Sequence, residues 1–395
     1  RDYQLEPLTI RRMLGKRYEH FTLTPSRQAG LISNAVSRFC ATHARHPAPR
    51  HSELPDWLHP DDAEGIQQQL FPHVEQRWID ALDPRHQAGI SHEVYLKRWA
   101  LSDPIIPVDY ILFDEAQDSD PLMLGILMQQ KRAQVIYVGD AHQQIYQWRG
   151  AVNAMQKLPL PDTRLTRSFR FGEEVAEIAN VFLKELGETT PLQGMPNLQS
   201  RIDLSPIMRS KNAVLCRTNA RAMSLLMGGL LQGHKVALQA DSDRLLKFVK
   251  AASALKSGKK VFDVPELSWF NSWQEVHEYC ESSESSDIKP LVKLVDEHGT
   301  EPLKKALNAI SPVESADYVI STAHKAKGLE WQQVQIEDDY SYKITKGNVQ
   351  ISPEELRLLY VATTRAKSVL NVHHLQPLIG TLRAQHNKKA KTTTD

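Results

Sequence analysis

The segment from Tyr110 to Ala151 constrains the fold more than any other part of this chain. It contains two short apolar runs, Tyr110–Phe113 and Val135–Val138. The first is followed by Asp114 and Glu115, and the second by a Gly-Asp pair. Such runs are typical of strands buried in a parallel sheet. Because ligands of open α/β sheets bind at the carboxyl ends of the strands, we expect these acids at a ligand site.

The residue types after each run suit phosphoryl transfer beside a nucleic acid. Asp114 can hold Mg²⁺, which prefers hard oxygen ligands, and Glu115 can polarise a water molecule. An amide, two aromatic residues and a cation follow the second run: Gln143, Tyr146, Trp148 and Arg149. Amides and cations can sense a phosphate, and aromatic rings beside positive charge stack the bases of a single strand.

The spelling of these motifs resembles a known family. DEAQD and VGDAHQQIYQWRGA resemble motifs II and III of the UvrD/Rep/PcrA-type superfamily 1 DNA helicases. The HQQIY and SFRFG spellings are similar to the F-box DNA helicase branch. The alternative, acids that close two strands for packing reasons, does not explain both motifs in this order. The resemblance implies an α/β fold with two RecA-like P-loop NTPase lobes, the first incomplete, and helical insertions.

The resemblance also implies roles in nucleotide chemistry. Asp114 would hold Mg²⁺, Glu115 would activate the attacking water, and Gln143 would couple the γ-phosphate of ATP to the DNA groove. The SFR spelling resembles motif IV, in which Phe169 would pack on the adenine and Arg170 would reach the γ-phosphate. The alternatives are a core aromatic for Phe169 and a surface ion pair for Arg170.

Two later segments resemble motifs V and VI. In HKAKGLE, His324 and Lys327 would contact DNA phosphates, and Glu330 would bind the ribose. In EELRLLYVATTRAKSVL, Arg365 would act as an arginine finger, which raises hydrolysis rates by orders of magnitude in other nucleotide hydrolases. The alternative for Arg365 is an ion pair at a helix end. The DNA contacts implied by motif III are Tyr146, Trp148 and Arg149.

The bulk properties fit an ordinary soluble globular protein. The 395 residues carry 48 Lys and Arg against 47 Asp and Glu, so a nucleic-acid contact must come from a local groove. Three separated cysteines exclude a disulfide framework and fit a reducing compartment. We see no membrane span or signal peptide and expect a bacterial cytoplasmic or eukaryotic nuclear location. The expected partners are ATP and single-stranded or partly duplex DNA.

The sequence suggests six consecutive regions. They are a helical 1B-like insertion with a remnant of the first lobe (1–103), lobe 1A (104–190), the start of lobe 2A (191–240), a small helical 2B-like insertion (241–311), the rest of lobe 2A (312–380) and a disordered tail (381–395). Trp269, Phe270 and Trp273 are expected to form the core of the second insertion, with DNA contact as the alternative. The acidic run 337–339 is interpreted as a solvated strand end.

The phosphate-cradling loop of this family, GxxxxGK[ST], is absent from the 395 residues. That loop and its lysine hold the β- and γ-phosphates. We therefore expect this chain alone to hydrolyse ATP poorly, and a central strand and helix to be missing from the first lobe. The missing elements should leave apolar surface uncovered.

The function implied is an ATP-dependent DNA helicase that moves 3′ to 5′ in repair or recombination. Three rivals remain. One is a non-catalytic relative that binds single-stranded DNA or depends on a partner for the missing loop. The others are a helicase-nuclease, which needs acids beyond motif VI, and a DEAD-type RNA helicase, against which DEAQD and the motif III aromatics argue.

Overall fold

The computed structural model describes residues 5–14, 17–54, 58–86, 90–147, 151–206, 208, 212–282 and 288–392. The strands are β1 (Leu8–Leu14), β2 (Arg17–Leu23), β3 (Tyr110–Phe113), β4 (Gln134–Tyr137), β5 (Arg201–Asp203), β6 (Ala213–Cys216), β7 (Val236–Gln239), β8 (Tyr318–Thr322), β9 (Trp331–Ile336), β10 (Tyr342–Thr345), β11 (Asn348–Ile351) and β12 (Ala366–Asn371). The α-helices are α1 (Pro25–Cys40), α2 (Pro60–Leu82), α3 (His92–Ala100), α4 (Pro121–Met128), α5 (Ala154–Lys157), α6 (Glu173–Glu185), α7 (Asn219–Leu231), α8 (Ser242–Lys256), α9 (Trp273–Ser282), α10 (Lys289–His298), α11 (Thr300–Asn308), α12 (Ala323–Ala326), α13 (Pro353–Thr363) and α14 (Gln376–Thr392).

These elements form two compact units. Unit 1 holds the described residues within Arg1–Ala141, Tyr146–Leu158 and Ala254–Asp287. Unit 2 holds those within His142–Ile145, Pro159–Ser253 and Ile288–Asp395. The predicted 241–311 insertion is therefore not one module, because its middle part belongs to unit 1 and its ends belong to unit 2.

The sequence suggested a helical first region. That expectation is wrong for its start, because β1 and β2 form an antiparallel hairpin. Alternate residues of the hairpin face the interior of unit 1, and one of them is Arg12. Its guanidinium lies 4.3 Å from the centre of the Phe21 ring and forms ion pairs with Glu19 and Glu275. A buried arginine is counted as polar in a hydropathy pattern, so the period of two that marks a strand was hidden.

The core of unit 1 joins this hairpin to α1, α2 and α3. Its buried side chains include Phe39 and Trp78, whose ring centroids are 5.0 Å apart. Phe270 and Trp273 are buried, as predicted for core residues. The partly buried Trp269 packs against the hairpin cluster, so it extends the core of unit 1 and does not form a separate module.

A two-stranded parallel sheet of β3 and β4 confirms both predicted strands of the motif II and III region. The strands are not buried on both faces, however. Tyr110 is 67% exposed and Leu112 is 74% exposed, and Ile136 on β4 is exposed as well. Phe113 and Tyr137 pack on the other side against a small core that contains Ala116 and Leu124. One apolar face of this sheet is thus largely exposed in the part of the chain that the structure describes.

Unit 2 is built on a six-stranded parallel sheet with the order β5-β12-β9-β6-β8-β7. β6 and β8 are buried at every position, as expected for central strands covered on both faces. Thr218 begins α7, and its side chain accepts a hydrogen bond from the backbone N–H of Arg221. This N-cap starts the helix that follows β6.

Two acids of the run after β9, Glu337 and Asp339, have protein partners, which corrects the solvated interpretation, whereas Asp338 between them is exposed. Glu337 is buried and pairs with Arg221 at 2.6 Å. The carboxylate of Asp339 accepts hydrogen bonds from the backbone N–H groups of Arg217 and Thr218. The acids therefore join β9 to the start of α7.

The C-terminal region also differs from the prediction. α14 extends to Thr392, where the sequence suggested a disordered tail from residue 381. Leu378 and Leu382 are fully buried, and His386 pairs with Glu185 of α6 at 3.0 Å. Apolar residues four apart on one helical face thus anchor this segment. The motif VI segment contains both a helix and a strand, because α13 ends at Thr363 and β12 follows it.

Candidate functional site

Asp114 and Glu115 lie at the carboxyl end of β3 in unit 1, and both are exposed. Because β3 and β4 run parallel, the Gly139-Asp140 turn lies at the same edge of the sheet. Two backbone bonds, Val138 N–H to Phe113 O and Ala116 N–H to Val138 O, extend the pairing beyond the strands. The structure therefore brings the two predicted acidic turns together.

The backbone of Glu115 is strained, with φ = 54°. This left-handed conformation costs a residue other than glycine roughly 1–2 kcal/mol. Its N–H donates to Asp114 Oδ1 at 2.8 Å, and its carbonyl accepts from the Asp118 N–H at 2.9 Å. Such strain persists where the surroundings hold a residue in place, and it is frequent at functional sites.

Gln117 is a site residue that the sequence interpretation missed. Its buried amide donates to Glu115 Oε2 at 2.5 Å and accepts from the Asp140 N–H at 3.0 Å. A Cβ at Gly139 would lie 2.2 Å from Gln117 Oε1, so only glycine leaves room for this amide. The signal in the sequence was an amide two residues after the second acid, and we had given it no role.

The motif III residues fall in both units. Gln143 belongs to unit 2, where its carbonyl accepts a hydrogen bond from Lys327 Nζ at 3.2 Å. Two predicted site residues, one expected at the γ-phosphate and one at DNA, are thus in contact. Tyr146 belongs to unit 1 and is half-buried. Trp148 and Arg149 lie outside the described residues.

Unit 2 also joins Arg170 to Glu330. Arg170 Nε donates to Glu330 Oε2 at 2.6 Å, and its Nη1 donates to the carbonyl of Thr364 at 3.1 Å. Lys367, which the sequence analysis did not select, donates to Glu330 Oε1 at 2.7 Å. The hydrogen bonds from Lys367 and Arg170 lower the pKa of Glu330 to about 2. The ion-pair alternative for Arg170 is therefore observed, although its partner is itself a predicted site residue.

Phe169 and Arg365 have opposite environments. Phe169 is 78% exposed, so the core-aromatic alternative is wrong and the ring is available for a ligand. Arg365 is only 2% exposed and donates to the carbonyl groups of Val361 and Leu329. Its role as an arginine finger stays a prediction.

The motif V turn follows β8. Thr322 caps the short helix α12 through the Lys325 N–H, and Gly328 has φ = 80°. His324 and Lys327 are half-buried in this turn. The glycine permits the left-handed turn that brings the chain from α12 to Glu330 and β9.

The donors present fit ATP with Mg²⁺. In the part of the chain that the structure describes, no three His, Cys, Asp or Glu side chains gather as a metal-binding group. Mg²⁺ bound with a nucleotide requires only one or two carboxylates, since phosphates and water supply the other ligands. The exposed carboxylate of Asp114 at a strand end meets that requirement. Within the same described part, no helix is long and apolar enough to cross a membrane.

Comparisons with known proteins agree with this arrangement. Residues 94–158 match the UvrD/REP helicase N-terminal domain, and residues 234–376 match the UvrD-like helicase C-terminal domain. F-box DNA helicase protein 1 of Schizosaccharomyces pombe is 32% identical over 299 residues, which cover 66% of this chain and 33% of that protein. F-box DNA helicase 1 of Gallus gallus is 30% identical over 344 residues, which cover 75% of this chain and 32% of that protein.

The chain spans about a third of the length of these relatives. The two matched domains occur in the order expected from the motifs, and the relatives are similar over most of this chain. The predicted fold class is also confirmed by the six-stranded parallel sheet of unit 2. The chain therefore belongs to the UvrD-like helicase family, and it contains segments of both the N-terminal and the C-terminal helicase domains.

Proposed function

We propose that this chain is the motor region of an ATP-dependent DNA helicase that moves 3′ to 5′ on single-stranded DNA and serves repair or recombination. The observation that carries the proposal is the edge of the β3–β4 sheet, where Asp114 and Glu115 meet the Asp140 turn through Gln117. Two acids held at the ends of parallel strands suit a Mg²⁺-nucleotide and its attacking water. The names of the relatives also favour a DNA substrate.

Each predicted residue has one task in this proposal. Asp114 binds Mg²⁺, and Glu115 orients the attacking water and takes its proton. Arg170 and Arg365 neutralise charge on the transferring phosphoryl group, and Glu330 holds the ribose while Phe169 stacks on the adenine. Gln143 senses the γ-phosphate. The DNA strand is held by five residues: Tyr146, Trp148, Arg149, His324 and Lys327.

The Arg170–Glu330 pair gives this proposal a specific order of events. Arg170 is held by Glu330 at 2.6 Å, while Lys367 holds the other oxygen of the same carboxylate. A nucleotide that reaches Arg170 with its phosphate and Glu330 with its ribose must replace this ion pair. Lys367 then keeps Glu330 in place when Arg170 turns to the phosphate.

We further propose that a phosphate-binding loop from outside these 395 residues completes the site. The supporting observation is the apolar face of the β3–β4 sheet, on which Tyr110 and Leu112 are mostly exposed. Apolar residues on a bare sheet face suit a covering strand or helix. The second candidate, a non-catalytic protein that binds single-stranded DNA, is favoured by the absence of GxxxxGK[ST] from the chain.

DNA-stimulated ATP hydrolysis distinguishes these functions. We would compare this chain, a form extended by the coding sequence upstream, and the extended form with Glu115→Gln. Turnover by the extended form alone, abolished by Glu115→Gln, supports the proposed motor. Strand displacement from 3′-tailed but not 5′-tailed duplexes supports the direction. Single-stranded DNA binding without hydrolysis in any form supports the non-catalytic alternative.

A further inference from the structure

The segment His142–Ile145 is a short part of motif III that belongs to unit 2, whereas the residues on both sides of it belong to unit 1. In unit 1, the carbonyl of Ala141 accepts a hydrogen bond from Asn153 Nδ2 at 3.0 Å. In unit 2, His142 Nε2 lies 3.2 Å from Glu188 Oε2. The consecutive residues Ala141 and His142 thus have partners in different units. The contacts of His142 therefore position the part of motif III that belongs to unit 2.

Glu188 is placed rigidly by the end of α6. Gly187 has φ = 86°, and the N–H groups of Gly187 and Glu188 bond to the carbonyls of Lys184 and Leu183. This is the Schellman arrangement that ends many helices with a left-handed glycine. The backbone of Glu188 is therefore fixed by the helix end and does not depend on the loop that follows.

The carboxylate of Glu188 is also oriented. Its Oε1 accepts from the N–H groups of Thr189 and Thr190 at 2.9 and 2.8 Å, and from Arg164 Nη1 at 2.8 Å. The bond from the Thr190 N–H contributes most to the low pKa of Glu188, which is about 2, so the group is ionised at neutral pH. An ionised carboxylate only accepts hydrogen bonds, so His142 Nε2 must carry the donated proton. Oε2 is left to face this imidazole.

We propose that Glu188 is a positioning residue for motif III. By holding His142, it fixes the neighbouring Gln143, whose carbonyl accepts a hydrogen bond from Lys327 at 3.2 Å. The inference rests on the proposed role of Gln143 in coupling ATP to DNA. Glu188 itself touches neither ligand in this scheme. Glu188 keeps Gln143 in the position from which binding of the γ-phosphate changes the contacts with DNA.

The end of α6 offers a matched control. Glu185 Oε2 lies 3.0 Å from His386 Nε2, and the side chains of Glu185 and Glu188 are both about one-fifth exposed. The Glu185–His386 pair joins α6 to α14, away from motif III in the sequence. Substitutions at Glu185 and Glu188 each remove a Glu–His pair, and only the Glu188–His142 pair involves motif III.

The test uses whichever form hydrolyses ATP in the comparison above, with Glu188→Ala, His142→Ala, both together, and Glu185→Ala. We expect Glu188→Ala and His142→Ala each to lower the DNA-stimulated kcat roughly ten- to a hundredfold, with little change in KM for ATP, since small misplacements near a reaction have effects of this size. The double variant should be no worse than either single one. Glu185→Ala should lower Tm similarly and keep kcat. Equal effects at Glu185 and Glu188 would overturn the proposal.

A second measurement does not depend on hydrolysis. Amide hydrogen exchange of this chain should become faster within residues 141–146 in Glu188→Ala and stay unchanged there in Glu185→Ala. Unchanged exchange in Glu188→Ala would refute the positioning role even if no form hydrolysed ATP. If the parent lacks DNA-stimulated hydrolysis but Glu188→Ala releases the segment, the proposed motor function fails and the positioning contact stands.

Discussion

The side-chain amide of Gln117 donates a 2.5 Å hydrogen bond to Glu115 and accepts one from the N–H of Asp140. One buried side chain thus connects the residue proposed to activate water with the turn that follows β4. Gln117 thereby holds one oxygen of the Glu115 carboxylate, and the backbone that carries this carboxylate is left-handed. Changes to either feature should affect catalysis before they affect the fold.

Gly139→Ala should displace the Gln117 amide, because the new methyl group would lie 2.2 Å from its oxygen. We expect DNA-stimulated hydrolysis by the extended form to fall about tenfold or more as Glu115 loses its orientation. Affinity for single-stranded DNA should change less than twofold. Gly30→Ala is the control, since a Cβ at this α1 position meets nothing within 4 Å. Equal hydrolysis by both variants would contradict the role of Gln117.

Glu115→Gly should abolish turnover and be more stable than Glu115→Ala. Both variants remove the carboxylate and its hydrogen bond from Gln117, and only glycine also removes the strain of φ = 54°, partly offset by its greater freedom in the unfolded state. We expect the free energy of unfolding in urea to be roughly 0.5–1 kcal/mol higher in the glycine variant than in the alanine variant. Equal or lower stability of the glycine variant would contradict the strain argument.

Lys97 should make the stability of unit 1 rise with pH. Its fully buried ammonium donates to the carbonyls of Thr42 and Ala44 and lies 4.4 Å from the Phe39 ring centre. Burial lowers its pKa from 10.5 to about 8. Between these values the unfolded state binds more protons than the folded state, so the free energy of unfolding increases from pH 8 to 10.5.

Lys97→Met tests this dependence by denaturant unfolding at pH 7 and pH 10.5. The pKa difference corresponds to a gain on the order of 3 kcal/mol in the parent, which the methionine variant should lack. The destabilisation caused by the substitution should therefore be larger at high pH. Lys131→Met, which alters an exposed lysine of the same unit, should leave the pH dependence unchanged. Parallel pH curves for the parent and Lys97→Met would contradict this assignment.

Arg11 and Arg12 are neighbours with very different expected contributions. Arg12 is buried and binds Glu19, Glu275 and the carbonyl of Trp269. Arg12→Ala leaves acids without their partner, and we expect it to lower the free energy of unfolding by about 3 kcal/mol. Arg11→Ala breaks a half-exposed pair with Asp62 and should cost at most about 1 kcal/mol. Urea titrations should separate the two variants clearly, and similar midpoints would contradict the burial argument.

Much of the fold followed from local patterns. The apolar runs that begin at Tyr110 and Val135 indicated parallel strands, and β3 and β4 pair in parallel there. The core role expected for Phe270 and Trp273 is also observed, because both side chains are buried. The spelling of the motifs located the acids and arginines in the chain. These features depend on residues within a few positions of each other, so one sequence contains the necessary information.

The remaining features depend on distant partners. Glu337 is buried because Arg221 lies beside it, 116 residues earlier in the chain. α14 is ordered through Leu378 and Leu382, whose short apolar face was hidden among lysines. Lys367 could be assigned to the site only from the structure, which shows that it binds the same carboxylate of Glu330 as Arg170 does. The residue pattern of a single sequence does not identify such distant pairs, because each charged residue of a pair could equally well be exposed to solvent.

The contact between Arg12 and Glu275 spans 263 residues, and this separation has a consequence for biosynthesis. At the ordinary speed of translation, the ribosome needs roughly 13–50 s to reach Glu275 after Arg12. Glu19 is synthesised seven residues after Arg12. The other two partners of Arg12, the Glu275 carboxylate and the Trp269 carbonyl, are synthesised much later. Until then the nascent hairpin lacks these contacts, and part of its surface is accessible to chaperones. By that time the chain through α7 has already left the ribosome.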